Sequence, residues 1–205
     1  MQPSLQVKHS VHLTPQASFV APEERIQLLG QRPGTIWLTG YSGSGKSTLA
    51  YGLEQRLIAS GHTVAVLDGD TIRAGLSADL GFSLVDRAEN IRRVAEVAKL
   101  MNDAGLIVIV ALISPLEADR EHARLIIGPH RYVEVFVDTP LDVCLRRDPK
   151  GLYKQALAGE IPDFTGVSSP YEPPSSPDLR LFTGACDPDQ AIATLFAAVK
   201  ARFID

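Results

Sequence analysis

Ile36-Trp37-Leu38-Thr39 runs into Gly40, and Gly45-Lys46-Ser47-Thr48 follows after the four residues Tyr41-Ser42-Gly43-Ser44. An apolar run thus leads into G-x-x-x-x-G-K-[ST], and Leu49, Ala50 and Leu53 then continue at helical spacing. The chemistry this arrangement offers is the capture of a polyanion. Glycines let the chain turn so that successive N–H groups converge on one anion, and the start of the helix adds its positive end. Lys46 is placed to reach outer phosphates and the Ser47 hydroxyl to hold Mg²⁺, so the stretch is expected to bind a nucleoside triphosphate, with Gly40 to Thr48 lining its phosphates.

What is done with the phosphate depends on residues elsewhere. Asp68 and Asp70 sit one residue apart in Leu67-Asp68-Gly69-Asp70, at the end of a second apolar run. The third apolar run ends in Ala111-Leu112-Ile113-Ser114, without the metal-assisting carboxylate common in motor and switch NTPases. Phosphoryl transfer to an alcohol needs a metal, neutralised charge and a carboxylate that takes or orients the hydroxyl proton. Asp70 is the candidate for that last role and Asp68 for metal support with Ser47; either could instead cap the turn at Thr71-Ile72-Arg73. Arg73, Arg87 and Asn90 suit an anionic acceptor. An arginine at a helix start opposes the dipole, which points to a task other than helix stability for Arg87, whereas Arg92 and Arg93 read as a solvated face. Phe82, in a loop, is a base-stacking surface or a core cover. Arg146, Arg147, Lys150 and Lys154 crowd cations into the start of a proline- and glycine-rich segment, where closure over phosphates would strengthen them.

The elements that must position these residues alternate. Strands are expected at 36–39, Val64–Leu67, Leu106–Ile113, Val133–Val137 and Leu179–Phe182. Helices are expected after the glycine loop to Ser60, over Asp86–Ala104, near Glu117–Ile127, over Leu141–Arg146 and over Pro188–Phe203. The uniformly apolar third strand suits a parallel strand covered on both faces. Repeated β-α units predict an α/β fold of three layers, a parallel sheet with helices on both faces and right-handed crossovers. Ligands in such a sheet sit beyond the carboxyl ends of the strands, which gathers Gly40, Asp68, Asp70, Ser114 and Asp138 into one crevice. Residues 147–178 are too long for an ordinary connection and are expected to form a structureless lid. Residues 1–33 read as an arm with a short helix near Pro22–Leu29, and 34–205 as the domain.

A chain of 205 residues, 45% apolar and 21% charged, suits one globular domain. Its net charge of −4 disfavours nucleic acid or a membrane surface as partner. There is no apolar run of membrane-spanning length and no secretory signal, and the two cysteines, Cys144 and Cys186, lack metal-ligand spacing. His9, His12, His62, His122 and His130 do not cluster. A reduced, cytoplasmic protein is the expectation.

Several stretches together carry a more specific signal. Leu67-Asp68-Gly69-Asp70, Asp79-Leu80-Gly81-Phe82-Ser83, Asp86-Arg87-Ala88-Glu89-Asn90-Ile91-Arg92-Arg93-Val94, Ile113-Ser114-Pro115, Glu134 to Pro140, Arg147 to Lys154 and Phe164-Thr165-Gly166, in this order, resemble the adenylylsulfate kinase (APS kinase) family of P-loop kinases. The resemblance runs from about Thr35 to Cys186. It implies transfer of the ATP γ-phosphate to the 3′-hydroxyl of adenosine 5′-phosphosulfate (APS), giving 3′-phosphoadenosine 5′-phosphosulfate and ADP. It implies APS contacts from Asp70, Arg73, Phe82 (stacked on adenine), Arg87, Asn90, Ile113 and Ser114, and closing contacts from Lys154 and Phe164. Arg147 would lie along the ATP adenine with Cys186 near it. Ser114 matches a serine described in the family as a phosphoenzyme site; no base is visible beside it, and substrate contact is the reading preferred here. The resemblance also suggests a homodimer; an ATP sulfurylase is a candidate partner that the sequence itself does not decide. Ala74, Ser77, Leu112 and Gln155 depart from the His, Asn, Phe and Lys common in the family, and Tyr41 replaces a usual Leu. Two other readings compete: a kinase for another small alcohol (a sugar acid or nucleoside), and a catalytically degenerate nucleotide-binding regulatory module.

Overall fold

The computed structural model describes residue 16, residues 18–185 and residues 187–204. Five parallel strands, β1 (Gly34–Thr39), β2 (Val64–Asp68), β3 (Ile107–Ala111), β4 (Tyr132–Asp138) and β5 (Leu179–Phe182), form one sheet in the order β2-β3-β1-β4-β5. The helices are α1 (Pro22–Leu29), α2 (Lys46–Ala59), α3 (Gly69–Ala74), α4 (Leu84–Asp103), α5 (Glu117–Ile127), α6 (Leu141–Arg147), α7 (Leu152–Leu157) and α8 (Pro188–Phe203).

Alternation along β1 divides the core in two. Ile36 and Leu38 face one side, where they pack with Leu53 and Leu57 of α2, Ile107 and Ile109 of β3, and Leu195 and Val199 of α8. Trp37 faces the other, with Val108, Val110, Tyr132 and Ile91, Val94 and Ala98 of α4, and Ala123 and Ile127 of α5. Every residue of β1 and β3 is buried, as covering on both faces demands. This is the three-layer arrangement that the alternating pattern predicts.

The differences from the sequence reading have local causes. The third strand stops at Ala111, so that Leu112, Ile113 and Ser114 leave the sheet as a loop over its carboxyl edge. The long helix starts earlier, at Leu84, because the Ser83 hydroxyl caps it by accepting from the Asp86 N–H at 3.2 Å. The expected turn at 71–73 is helix α3, and Asp68 is its cap, accepting from the Asp70 N–H at 3.1 Å. Residues 147–178 are not structureless: α7 lies within them, and Tyr153, Ala156 and Phe164 form a small core with Cys144 of α6. Residues 1–15 of the expected arm lie outside the described residues, His9 and His12 included. Among the described residues no helix is long and apolar enough to cross a membrane.

Candidate active site

The loop from Gly40 to Ser47 is shaped by glycine at two places. Gly40 has φ +151°, and a Cβ there would fall 2.6 Å from the Val137 carbonyl oxygen of β4. Gly45 caps α2 in the left-handed region at φ +102°. The Ser44 carbonyl accepts from the Thr139 hydroxyl at 3.0 Å and the Thr183 hydroxyl at 3.2 Å, so the ends of β4 and β5 pin the loop from below. Lys46 is only 8% exposed and donates from Nζ to the Gly40 and Tyr41 carbonyls at 2.8 and 2.7 Å. Burial pushes its ammonium down to about 8, with Asp68 among the groups opposing the shift. A charge held in so dry a place gains strongly from a polyanion brought beside it.

Ser47 donates its hydroxyl proton to Asp68 Oδ2 at 2.6 Å, while Asp68 Oδ1 serves the Asp70 N–H. Asp68 is therefore cap and hydroxyl partner at once. Hydroxyl and carboxylate side by side form the hard-oxygen pair that Mg²⁺ prefers, so these residues fit the ion. Asp70 stands exposed in the first turn of α3, in an ion pair with Lys150 from the segment after α6.

Facing this loop across a cavity of about 1040 Å³ is a basic wall. Arg73 lies over the Phe82 ring, its guanidinium carbon 4.3 Å from the centroid, and Arg87 approaches the same ring at 5.8 Å. Phe82 is 57% exposed and covers no core. Arg87 is buried and donates to the Phe82 carbonyl at 2.7 Å, the Thr165 hydroxyl at 3.0 Å and the Asp163 carbonyl at 2.6 Å. Burial first, and then the charge of Arg73, works against the charge of Arg87. Two partly dehydrated guanidiniums this close make a site for an anion. Asn90, 4% exposed, lines the cavity with an Oδ1 that has no protein partner among the described residues.

Ser42, Gly43, Ser44, Gly45, Lys46, Ser47, Thr48, Asp68, Asp70, Arg73, Phe82, Arg87, Asn90, Ile113, Ser114, Arg147 and Phe164 all line this one cavity. Gly40 and Tyr41 back it through their carbonyls on Lys46. Arg147 bridges the Thr183 carbonyl at 2.7 Å and the Gly43 carbonyl at 3.5 Å, beside Pro188 and Ala191. Three expectations are corrected. Lys154 is exposed and does not line the cavity; its backbone N–H donates to Asp148 at 3.1 Å. Arg146 pairs with Asp142 one turn away on the surface of α6. Asp138 is not in the crevice, because Arg180 holds it at 2.7 Å. Arg92 and Arg93 pair with Glu89, and Arg93 also with Asp79, which fits the solvated face. Cys186 lies outside the described residues.

Sequence reasoning passed over Thr139, Thr165 and Thr183. Their role depends on where distant loops meet, and only the strand-end position of Thr139 hinted at it.

The Adenylylsulphate kinase family model matches residues 32–182. The chain is 53% identical over 188 residues to the adenylyl-sulfate kinase of Aeromonas hydrophila subsp. hydrophila, covering 92% of this chain and 95% of that one. It is 55% identical over 183 residues to the bifunctional enzyme NodQ of Azospirillum brasilense, covering 89% of this chain but only 30% of that one. The chain thus spans less than a third of the NodQ relatives it matches. Among solved structures, the Mycobacterium tuberculosis APS kinase CysC in complex with AMPPNP and APS superposes with a TM-score of 0.80 at 49% identity, over 82% of this chain and 98% of that one. With the family model spanning most of the domain and an adenylyl-sulfate kinase 53% identical over nearly its whole length, the chain belongs to the adenylylsulphate kinase family.

Proposed function

We propose that the protein transfers the γ-phosphoryl group of ATP to the 3′-hydroxyl of APS, giving 3′-phosphoadenosine 5′-phosphosulfate and ADP in sulfate activation. One observation carries this reading: a single cavity is lined by residues 42–48 on one side and by Arg73, Phe82, Arg87 and Asn90 on the other, with Asp70 beside both. A donor polyphosphate and an anionic, base-bearing acceptor would meet there.

In this reading Gly40 to Thr48 cradle the phosphates, and Lys46 neutralises charge on the outer ones. Arg147 flanks the ATP base. Ser47 and Asp68 would hold Mg²⁺, which when bound offsets charge on the phosphate oxygens. Arg73, Arg87 and Asn90 hold the acceptor's anionic end, Phe82 stacks on its base, and Ile113, Ser114 and Phe164 shape its pocket. Asp70 accepts the 3′-hydroxyl proton as that oxygen bonds to the γ-phosphorus and the β–γ bridging bond breaks. Residues 147–178 act as a lid, with Lys150 and Phe164 brought in over the acceptor. Ser114 contacts substrate and takes no phosphoryl group, since its hydroxyl accepts from the Trp37 indole N–H at 3.0 Å and no base lies beside it. A cytoplasmic homodimer, working beside an ATP sulfurylase, is the setting we propose; relatives named as bifunctional enzymes, of which this chain spans less than a third, fit a second activity beside this one.

An ADP-release assay over APS, gluconate and nucleosides tests the proposal. ADP formed with APS alone supports it. ADP formed with another acceptor moves the protein to a different small-alcohol kinase, and no ADP with any acceptor makes it a nucleotide-binding module.

A further inference from the structure

The third strand ends in a turn that the backbone resists. Ser114 has φ +45°, in the left-handed region where a serine is strained. It also precedes Pro115, whose ring restricts the residue before it to extended conformations. Such a conformation persists only if its surroundings hold it.

They do so from below. Thr39 donates its hydroxyl proton to the Ile113 carbonyl at 2.6 Å, and the Trp37 indole donates to Ser114 Oγ at 3.0 Å. The third grip is a buried charge. Arg120 of α5 is 1% exposed and donates from Nη1 to the Ser114 carbonyl at 2.8 Å. Its Nη2 donates to the Glu172 carbonyl at 2.8 Å, and its Nε to the carboxylate of Glu134, itself 5% exposed, at 2.8 Å. Glu172 in turn donates its N–H to the Pro115 carbonyl at 2.8 Å. The guanidinium therefore joins the 113–115 turn to the strand of chain that follows Phe164 and Tyr171.

Neither Arg120 nor Glu134 lines the cavity. A buried ion pair is a poor device for stability, since two apolar residues of like size often serve as well. A planar fork with donors in three directions is nevertheless what this corner requires, and a lysine cannot supply it. We propose that Arg120, locked in place by Glu134, is a positioning residue that holds the strained Ile113–Pro115 turn against the acceptor. This inference rests on the reading above that the turn lies on the acceptor side.

The test replaces both charges at once, Arg120→Met with Glu134→Leu, so that no lone charge is left buried. Trp37 is the chain's single tryptophan, so its indole N–H resonance reports the Ser114 contact without any turnover. The double variant should melt near the wild type. Its indole resonance should move toward that of Ser114→Ala, and kcat/KM for APS should fall by roughly ten- to a hundredfold. KM for ATP should change by less than about twofold, which a general loss of structure would not spare. A folded double variant with an unmoved indole resonance and wild-type KM for APS overturns the inference. If the double variant does not fold, Arg120→Lys decides. It keeps the charge pair but cannot serve both carbonyls, so an unmoved resonance there overturns the inference and a moved one sustains it. A wild type that fails to phosphorylate APS sinks the functional reading instead, and the indole resonance still reads the positioning.

Discussion

Tyr41→Leu should weaken the communication between the donor and acceptor halves of the site while leaving each half able to bind. The Tyr41 ring lies 4.6 Å from the Tyr171 ring, tilted at 43°, and a Cβ on Gly166 would come within 3.0 Å of Tyr41 Cε1. The ring thus presses the glycine loop onto the chain that carries Phe164 and Thr165, and Thr165 bonds to Arg87. Tyr171 is tied further to Thr39, hydroxyl to hydroxyl at 3.0 Å. An aromatic pair of this kind contributes about 1 kcal/mol beyond its buried area. If that contact carries the coupling, its loss lowers the coupling factor about fivefold. The Tyr41 carbonyl that receives Lys46 belongs to the backbone and survives the substitution, so nucleotide affinity alone should be preserved. Calorimetry of APS binding, with and without an unreactive ATP analogue, measures the factor directly. The ratio of the two affinities should fall in Tyr41→Leu and fall no further when Tyr171→Leu is added. A ratio within about twofold of the wild type would refute the reasoning, because the contacts of the Tyr41 ring would then carry none of the coupling.

Asp70→Asn should lower kcat by roughly a hundredfold or more while changing nucleotide affinity little, in binding and turnover assays; equal losses in both would assign it to metal or fold. Ser114→Ala should keep substantial turnover and cost about 1 kcal/mol of stability as the Trp37 indole loses its acceptor; complete inactivity with intact APS binding would make Ser114 a phosphoenzyme site. The Arg92 and Arg93 guanidiniums hold the Glu89 carboxyl down to about 2. A depressed carboxyl stabilises the folded state above its unfolded value, near 4.5, and loses that contribution as pH falls toward 2. All three side chains are about a third exposed, so solvent screening limits the effect to about 1 kcal/mol. Glu89→Gln should therefore melt lower at pH 7, and the gap should close as the pH is taken to 2; a gap constant with pH would show that charge is not its cause.

The layers of the fold were legible because parallel strands buried on both faces leave uniform apolar runs, and Ile107–Ala111 is such a run. The donor loop was legible because its chemistry is local in the chain, from Gly40 to Thr48. The acceptor wall was legible in part: Arg87 stands where a helix gains nothing from a cation, and its buried bonds to Phe82, Thr165 and Asp163 give the reason. Other features depend on distance in sequence. Arg120 reads as a surface residue of an amphipathic helix until β4 brings Glu134 beneath it. Helix α7 was masked by its setting among prolines and glycines, although Leu152, Tyr153 and Ala156 share a face. Lys154 and Arg146 were grouped with Arg147 and Lys150 by proximity in the chain, and the helical turns of α6 and α7 aim them elsewhere. Of the departures from the family, Ser77 is fully buried with a hydroxyl that has no partner among the described residues, and Gln155 is exposed on α7.

In the proposed reaction one cavity joins an ATP donor loop to an acceptor that offers its 3′-hydroxyl beside Asp70. Nuclear magnetic resonance of the product formed from ATP and APS tests it most directly. A single new phosphate ester at the 3′-position is expected, with ADP in equal amount and no reaction with an APS analogue lacking the 3′-hydroxyl. A phosphate at the 2′-position, or ADP formed with the 3′-deoxy analogue, would contradict it.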